Sequence, residues 1–376
     1  MASKRGTDPT AQTVQLLCAK AAGRCEFAGC GEILYEEILT RRRIRNSVVA
    51  HIVASSPDGP RGDRERSHKL SQEIGNLMLL CPTHHTLIDS RVEDYPEALL
   101  LSMKKQHEDS VERLCAQLQS EPSEMITLVS PIKGRHRVTP DLREQVHALL
   151  PEHHAVSKTG QSIFVESCHE YRSKEYWADV ERQLMTGYLR YIEPILKMEP
   201  TQHFSVFPLA PMPLIIKLGS ILGDKSTWQV FQYFREANSW CWPTLEQSNR
   251  FSMHHHKRRD GNRVALVLSL TADIALERVK AVFDADMIIT IQAERYGVDC
   301  IRSPKDLVEF WHCYQDACDY VKNSIIGLEE MVVFPAMPVS AAFEVGRRYM
   351  HGVYPRLRIY DDDNGFFETL TIGGGN

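Results

Sequence analysis

Four side chains are spaced as metal ligands. Cys81 and His84 stand in C-x-x-H spacing, so one tight turn can offer a thiolate and an imidazole to the same tetrahedral ion. Cys25 and Cys30, spaced C-x4-C, can supply the other pair. Four nitrogen and sulfur ligands close a zinc site with no open position, and such a zinc is structural. His85 is then surplus, directly beside a closed knuckle. With His51 and Asn76 it completes the order His, Asn, His along the chain.

These residues need elements to hold them. The run "NSVVAHIVA" predicts a strand ending near His51, and "SSPDGPRGD" predicts a loop because it holds two Pro and two Gly. Residues 76–80, "NLMLL", predict a second strand. From Pro96 the period becomes helical, with Leu99, Met103, Val111, Leu114 and Leu118 on one stripe, a candidate for either intradomain core or a dimer contact. Residues 11–22 predict a short helix packed beside the knuckle. Two basic runs, Arg41, Arg42, Arg43 and Arg45, then Arg61, Arg64 and Arg66, read either as solvated faces or as phosphate contacts. His68 and His107 have no such company and read as surface residues.

The segments "VVAHIVASSPDGPRGD", "GNLMLLC" and "CPTHH" together resemble the HNH, or ββα-metal, nucleases. The resemblance implies an α+β N-terminal domain over residues 1–118 with the ββα-metal fold and a structural zinc knuckle. It implies that His51 is the general base, that Asn76 holds the base loop or the metal, and that His85 binds a catalytic divalent ion, Mg²⁺ or another. Many members carry Asp just before the base His, where this chain has Ala50. The second metal ligand must then come from elsewhere, with Asp63 a candidate. Beside such a motif, Arg41, Arg42, Arg43, Arg45, Arg61 and Arg64 become candidate contacts to double-stranded DNA.

A chain of 376 residues has room for two or three domains, and 43% hydrophobic with 25% charged residues describes an ordinary globular protein. No apolar run approaches a membrane span, and "MASKRGTDPT" lacks the apolar core of a signal peptide, so a cytoplasmic protein is expected. Outside the knuckle the cysteines are scattered singly and read as buried or free thiols. A net charge of −5 speaks against a protein that coats DNA generally and makes any nucleic-acid contact local.

The helical pattern breaks at "QSEPSE", residues 119–124, which sets the expected domain boundary. Beyond it, "MITLVS" predicts a strand and "PDLREQVHALL" a short helix, while His153 and His154 have no evident partner. The second half contains an internal repeat. Val206-Phe207-Pro208 with Pro211 and Gly219 aligns without gaps on Val333-Phe334-Pro335 with Pro338 and Gly346, and a shift of about 127 residues also relates "SIFVE" to "MIITIQA" and "TWQVFQYF" to "YPRLRIYD". Strands alternating with helices predict a parallel sheet in each unit and a pseudo-two-fold pair of Rossmann-like halves, about 125–262 and 263–376. The Pro-rich turns fall at strand carboxyl ends just before helices. Open α/β sheets bind ligands there, although Pro also simply starts helices. Neither half shows G-x-G-x-x-G or G-x4-G-K-[ST], which excludes the usual dinucleotide and triphosphate fingerprints.

"FSVFPLAPMPLIIKLGSILGDK" and the duplicated layout of residues 119–376 resemble a SAVED domain, a fused pair of CARF-like modules that binds cyclic oligonucleotides. Joined to an HNH domain, this is similar to the HNH–SAVED effector nucleases of the cyclic-oligonucleotide antiphage systems (CBASS). The resemblance implies a bacterial effector that stays idle until a cognate cyclase supplies a cyclic di- or trinucleotide, after which it cuts double-stranded DNA. A homo-oligomer is expected, an inactive dimer that becomes a larger assembly on adding the ligand. Pro211, Met212 and Pro338 at the turns are candidate ligand contacts. Lys217 could meet a phosphate or be a plain surface lysine, and Trp240 and Trp242 could stack on bases or belong to the core. Two other readings stand beside it: a ligand-sensing or DNA-binding regulator with a degenerate HNH motif, favoured by Ala50, and a restriction-type HNH nuclease. The last would need a basic second half, whereas 28 Lys and Arg face 33 Asp and Glu after residue 118.

Overall fold

A computed structural model describes residues 6–36, 42–117, 120–133, 140–198, 203–224, 226–243, 248–325 and 327–373. The chain divides into two compact units, Met1–Gln119 and Ser120–Asn376.

In the first unit, helix α1 (Ala11–Lys20) starts at Thr10, whose hydroxyl accepts from the Thr13 amide. Strand β1 (Val48–His51) pairs antiparallel with β2 (Leu77–Leu80), from Val48 opposite Leu80 to His51 opposite Leu77. Between them lie the predicted loop and a short helix, α2 (Ser67–Leu70). All four residues of β2 are buried, as a continuous apolar run requires. Helix α3 (Pro82–Ser90) follows at once, with Pro82 at its first position, where the missing amide costs nothing. Helix α4 (Glu97–Gln117) closes the unit. The core gathers Leu17, Leu34, Ile52, β2, Ile88 and Leu100.

The predicted α4 stripe is displaced. Leu100 is fully buried, whereas Leu99 and Leu114 are 39% and 64% exposed, and Leu118 lies outside the described residues. The inward face runs instead through Leu100, Met103, Lys104 and His107. Lys104 is held by Glu108 at 2.6 Å, and His107, expected at the surface, is half-buried with its Nε2 donating to the Ala21 carbonyl at 3.0 Å. Charged and polar groups on this face hid it from an apolar count.

The second unit begins with β3 (Glu121–Val129), which starts inside the expected boundary segment because Glu121 to Ser123 pair with β4. There follow α5 (Leu142–Leu149), β4 (His153–Ala155), β5 (Gln161–Phe164), α6 (Lys174–Gly187), a π-helical turn over Tyr188–Ile192, α7 (Glu193–Met198), β6 (His203–Leu209), α8 (Met212–Leu222) and β7 (Thr227–Val230). The strand order is β4-β3-β6-β7, all parallel, with β5 also on β3. The remaining elements are β8 (Phe251–Lys257), β9 (Val264–Ser269), α9 (Leu276–Lys280), β10 (Met287–Ala293), α10 (Pro304–Ser324), β11 (Glu330–Ala336), α11 (Val339–Arg347), β12 (Arg356–Asp362) and β13 (Phe366–Ile372). Their order is β13-β12-β11-β9-β10-β8, parallel from β12 to β10, with antiparallel strands at both edges.

The order β5-β3-β6-β7 is repeated as β10-β9-β11-β12, so the two halves share one topology. The expected division at residue 262 is corrected: β8 pairs with β10, which places residues 251–257 in the second sheet and the junction before them. A strand reading Ser-Met-His-His-His is mostly exposed at a sheet edge and carries no apolar alternation to betray it. One continuous core draws on both sheets and on α6, α8, α10 and α11. Among the described residues no helix is long and apolar enough to cross a membrane.

Candidate functional site

Cys25, Cys30, Cys81 and His84 bring their ligand atoms within 4.8 Å of one another, and they are the one such group of three or more among the described residues. The Cys81 Sγ is 3.1 Å and the Cys25 Sγ 3.8 Å from His84 Nδ1, and the Cys81 amide donates to the Cys25 sulfur at 3.4 Å. Phe27 stacks on the His84 ring at 4.0 Å, fixing its plane. Burial pushes the Cys25 thiol up to about 12 and raises that of Cys81 as well. Neither would ionise unaided near neutrality, so the thiolates that zinc binds need the cation itself among them. Three sulfurs and one imidazole fit a closed tetrahedral zinc.

The same turn positions His85. Because Cys81 is the N-cap of α3, His84 and His85 fall in the first turn, about 100° apart around the axis: one faces the sulfurs and the other is partly exposed. His85 Nε2 lies 3.4 Å from Asp89 Oδ2, one turn further along the helix. Asp89 escaped the sequence reading, although its i,i+4 spacing from His85 was the signal available.

His51 closes β1. Its Nε2 is 3.0 Å from the Ser71 carbonyl, which can only accept, so Nε2 is the donor and, in the neutral imidazole, Nδ1 carries the lone pair. Asn76 is buried and holds the chain around that strand. Its Oδ1 accepts from the Val53 amide at 2.9 Å, while its Nδ2 donates to the carbonyls of Val53 at 2.9 Å and Leu70 at 3.2 Å. Ala50 points into the core at 1% exposure and offers no ligand. Asp63 is engaged locally, its Oδ1 accepting from the amides of Glu65 and Arg66 at 2.9 and 2.8 Å, and it joins no metal-ligand group with His51 or His85.

Of the candidate DNA contacts, Arg42, Arg43, Arg45 and Arg64 are exposed and Arg41 lies outside the described residues. Arg61 is corrected. Its side chain is 5% exposed and donates to the Ile52 carbonyl at 2.6 Å, the Ile88 carbonyl at 2.8 Å and Asp89 Oδ1 at 2.8 Å. Arg66 is paired with Glu97.

In the second unit a cavity of about 400 Å³ opens where the parallel strands end. Ala210, Pro211 and Met212 line it from the first half, and Met337, Pro338 and Val339 from the second. Helices α8 and α11 therefore both start at its wall, each after a proline and without a side-chain cap. Uncapped first-turn amides and the helix dipole make such a wall receptive to anions. Lys133 and Arg235 add positive charge, while Arg278 is clamped by both oxygens of Asp362 at 2.8 and 2.9 Å. Asp361 is buried, which lifts its carboxyl to about 6 despite the hydrogen bond it accepts from the Tyr171 hydroxyl.

Three expected ligand contacts lie elsewhere. Lys217 sits in the second turn of α8, too far along the helix to face its start, and pairs with Glu181 at 2.6 Å and the Thr371 carbonyl at 3.2 Å. Trp240 is core, edge-on to Phe207 at 5.2 Å, and Trp242 packs on Phe234 at 5.7 Å. The cavity residues missed by sequence, Lys133, Tyr171, Arg235 and Arg278 among them, are united only by topology. His153 and His154 do have partners: His153 stacks on His203 at 3.7 Å, and His154 Nδ1 meets Ser120 at 3.0 Å.

No curated protein matches the chain. Among solved structures it is similar to the Acinetobacter baumannii Cap4 SAVED/CARF-domain containing receptor with the cyclic trinucleotide 2'3'3'-cAAA, at 10% identity and a TM-score of 0.44, covering 82% of this chain and 66% of that one. The same receptor with 3'3'3'-cAAA gives 11% and 0.46 with the same coverage. The Moraxella osloensis Cap4 SAVED/CARF-domain containing receptor gives 11% and 0.39, with 82% and 60% covered. The chain thus spans 60–66% of the length of these receptors. Residues 190–372 match the family described as the SMODS-associated and fused to various effectors sensor domain, so this stretch of the second unit is a SAVED domain.

Proposed function

We propose that the chain is a DNA endonuclease switched on by a cyclic oligonucleotide held in the SAVED cavity. The observation that carries the sensor part is the convergence of two duplicated, proline-capped helix starts on one cavity, within a domain matched to the SAVED family. A pseudo-symmetric wall with two anion-receptive helix ends suits a ring carrying two or three phosphates, and about 400 Å³ is within the range of small-molecule sites.

The nuclease part rests on His51, Asn76 and His85. Nδ1 of His51 is free to take a proton from a water attacking the scissile phosphorus, with the Ser71 carbonyl steadying the charge that develops on the ring. Asn76 keeps the strand end from shifting. A divalent ion beside His85 and Asp89 would stabilise charge on the phosphate and the leaving oxygen. One nitrogen and one carboxylate oxygen suit Mn²⁺ at least as well as the harder Mg²⁺.

Calorimetry of the full-length protein against a panel of cyclic di- and trinucleotides, run beside a plasmid-cleavage assay, tests both parts. Cleavage that appears only with the ligand that binds is expected. Strong ligand-free cleavage would sink the gating, and the absence of cleavage with a bound ligand, DNA and divalent ion would sink the nuclease.

A further inference from the structure

We infer that Arg61 is a positioning residue of this nuclease site, a brace that fixes the separation between the base strand and the helix carrying His85; the inference rests on the nuclease reading. Three of its five N–H groups are spent on two elements. Nε donates to the carbonyl of Ile52, the residue after His51, while the two terminal nitrogens donate to the Ile88 carbonyl and to Asp89 Oδ1 in α3. Asp89 in turn presents its other oxygen to His85 Nε2 at 3.4 Å. A single planar guanidinium therefore links the neighbour of one functional histidine to the partner of the other.

The backbone supports the same reading. Arg61 has φ of +54°, a left-handed conformation that side chains with a Cβ adopt rarely, in a loop where a Cβ on the adjacent Gly62 would lie 2.3 Å from the Pro57 carbonyl oxygen. The three side-chain hydrogen bonds offset the cost of holding arginine in that conformation. That side chain is too enclosed, at 5% exposure, to meet a phosphate backbone. Lysine could not replace it, since one ammonium cannot span the same three acceptors in one plane.

The test uses full-length, zinc-loaded protein with Arg61→Gln, Arg61→Lys and Asp89→Asn. Mn²⁺ binding is followed by electron paramagnetic resonance, and steady-state plasmid cleavage is measured with the activating ligand. Losing a residue that orients a metal ligand typically costs 10–100-fold in metal affinity or activity, so both Arg61 variants are expected to bind Mn²⁺ that much more weakly, and Asp89→Asn, which alters a ligand itself, at least as weakly. The kcat should fall in step, with KM for DNA unchanged and one zinc retained. Should Arg61→Gln lose its zinc, Arg61→Lys, which keeps the charge but cannot span the three acceptors, decides the matter alone. Mn²⁺ binding within twofold of wild type would overturn the brace, as would a wild type that binds no Mn²⁺. A raised KM with a shallower salt dependence would return Arg61 to the DNA surface. If the wild type binds Mn²⁺ yet never cleaves, the nuclease reading fails while the metal measurement still judges the brace.

Discussion

Gly219 of α8 and Gly346 of α11, equivalent residues of the two halves, lie against each other where their helices cross. A Cβ on Gly219 would stand 2.3 Å from the Phe343 carbonyl oxygen, and one on Gly346 would stand 1.9 Å from that of Ile216. Both obstacles are backbone, which cannot swing aside. Gly219→Ala and Gly346→Ala are each expected to force the helices apart and to cost about 1–3 kcal/mol, the usual range for overpacking. Denaturant unfolding should show the double variant to be less damaging than the two single changes added together, because one displacement makes room for both methyls.

Zinc removal should have a local effect. Structural zinc contributes on the order of 10–16 kcal/mol to small sites, so Cys81→Ser should unfold the first unit rather than merely slow it. Metal analysis should find one zinc in the wild type, and less than about half an equivalent with the first unit still folded would refute the site.

His51→Ala should keep zinc content, fold and ligand affinity while plasmid cleavage falls by ~10²–10⁴, the usual cost of losing a general base. Cleavage at the wild-type rate would place the base elsewhere.

Asp361 gives the second unit a pH dependence. Its folded pKa of about 6 lies above the ordinary 3.8, so the group favours the folded state when protonated. That contribution is complete below the ordinary value and is lost as pH rises through about 6, with a size on the order of 3 kcal/mol. Compared with Asp361→Asn, the wild type should therefore lose stability between about pH 4 and 6. Parallel denaturation midpoints across that window would show that the carboxyl is not perturbed.

The sequence was most legible where one residue type has one use. C-x4-C and C-x-x-H located the metal-ligand cluster, the apolar "NLMLL" located β2, and the repeated V-F-P…P…G pattern located the matching strand–turn–helix units β6–α8 and β11–α11. It was least legible where a long polar side chain turned inward. Arg61 looked like a DNA contact because its loop is polar, and nothing local reveals that the loop folds back on Ile52 and Ile88. Lys104 and His107 hid the buried face of α4 in the same way. The cavity lining was unreadable for a different reason. Lys133, Arg235 and Arg278 come from three separate connections and meet only once both sheets have formed.

The knuckle joins Cys25 to Cys81 across 56 positions, and β1, the Arg61 loop and Asn76 all fall between those anchors. A metal held there would act as a clasp on a long loop, reducing the conformations open to an unfolded first unit by an amount that would correspond, for a covalent cross-link of that span, to about 4 kcal/mol. Stripping it would open the clasp and scatter His51 from His85 without touching residues 120–376. On the proposed function, a zinc-starved chain would then be a receptor with no output: it would still take up the messenger, and so draw it away from intact copies.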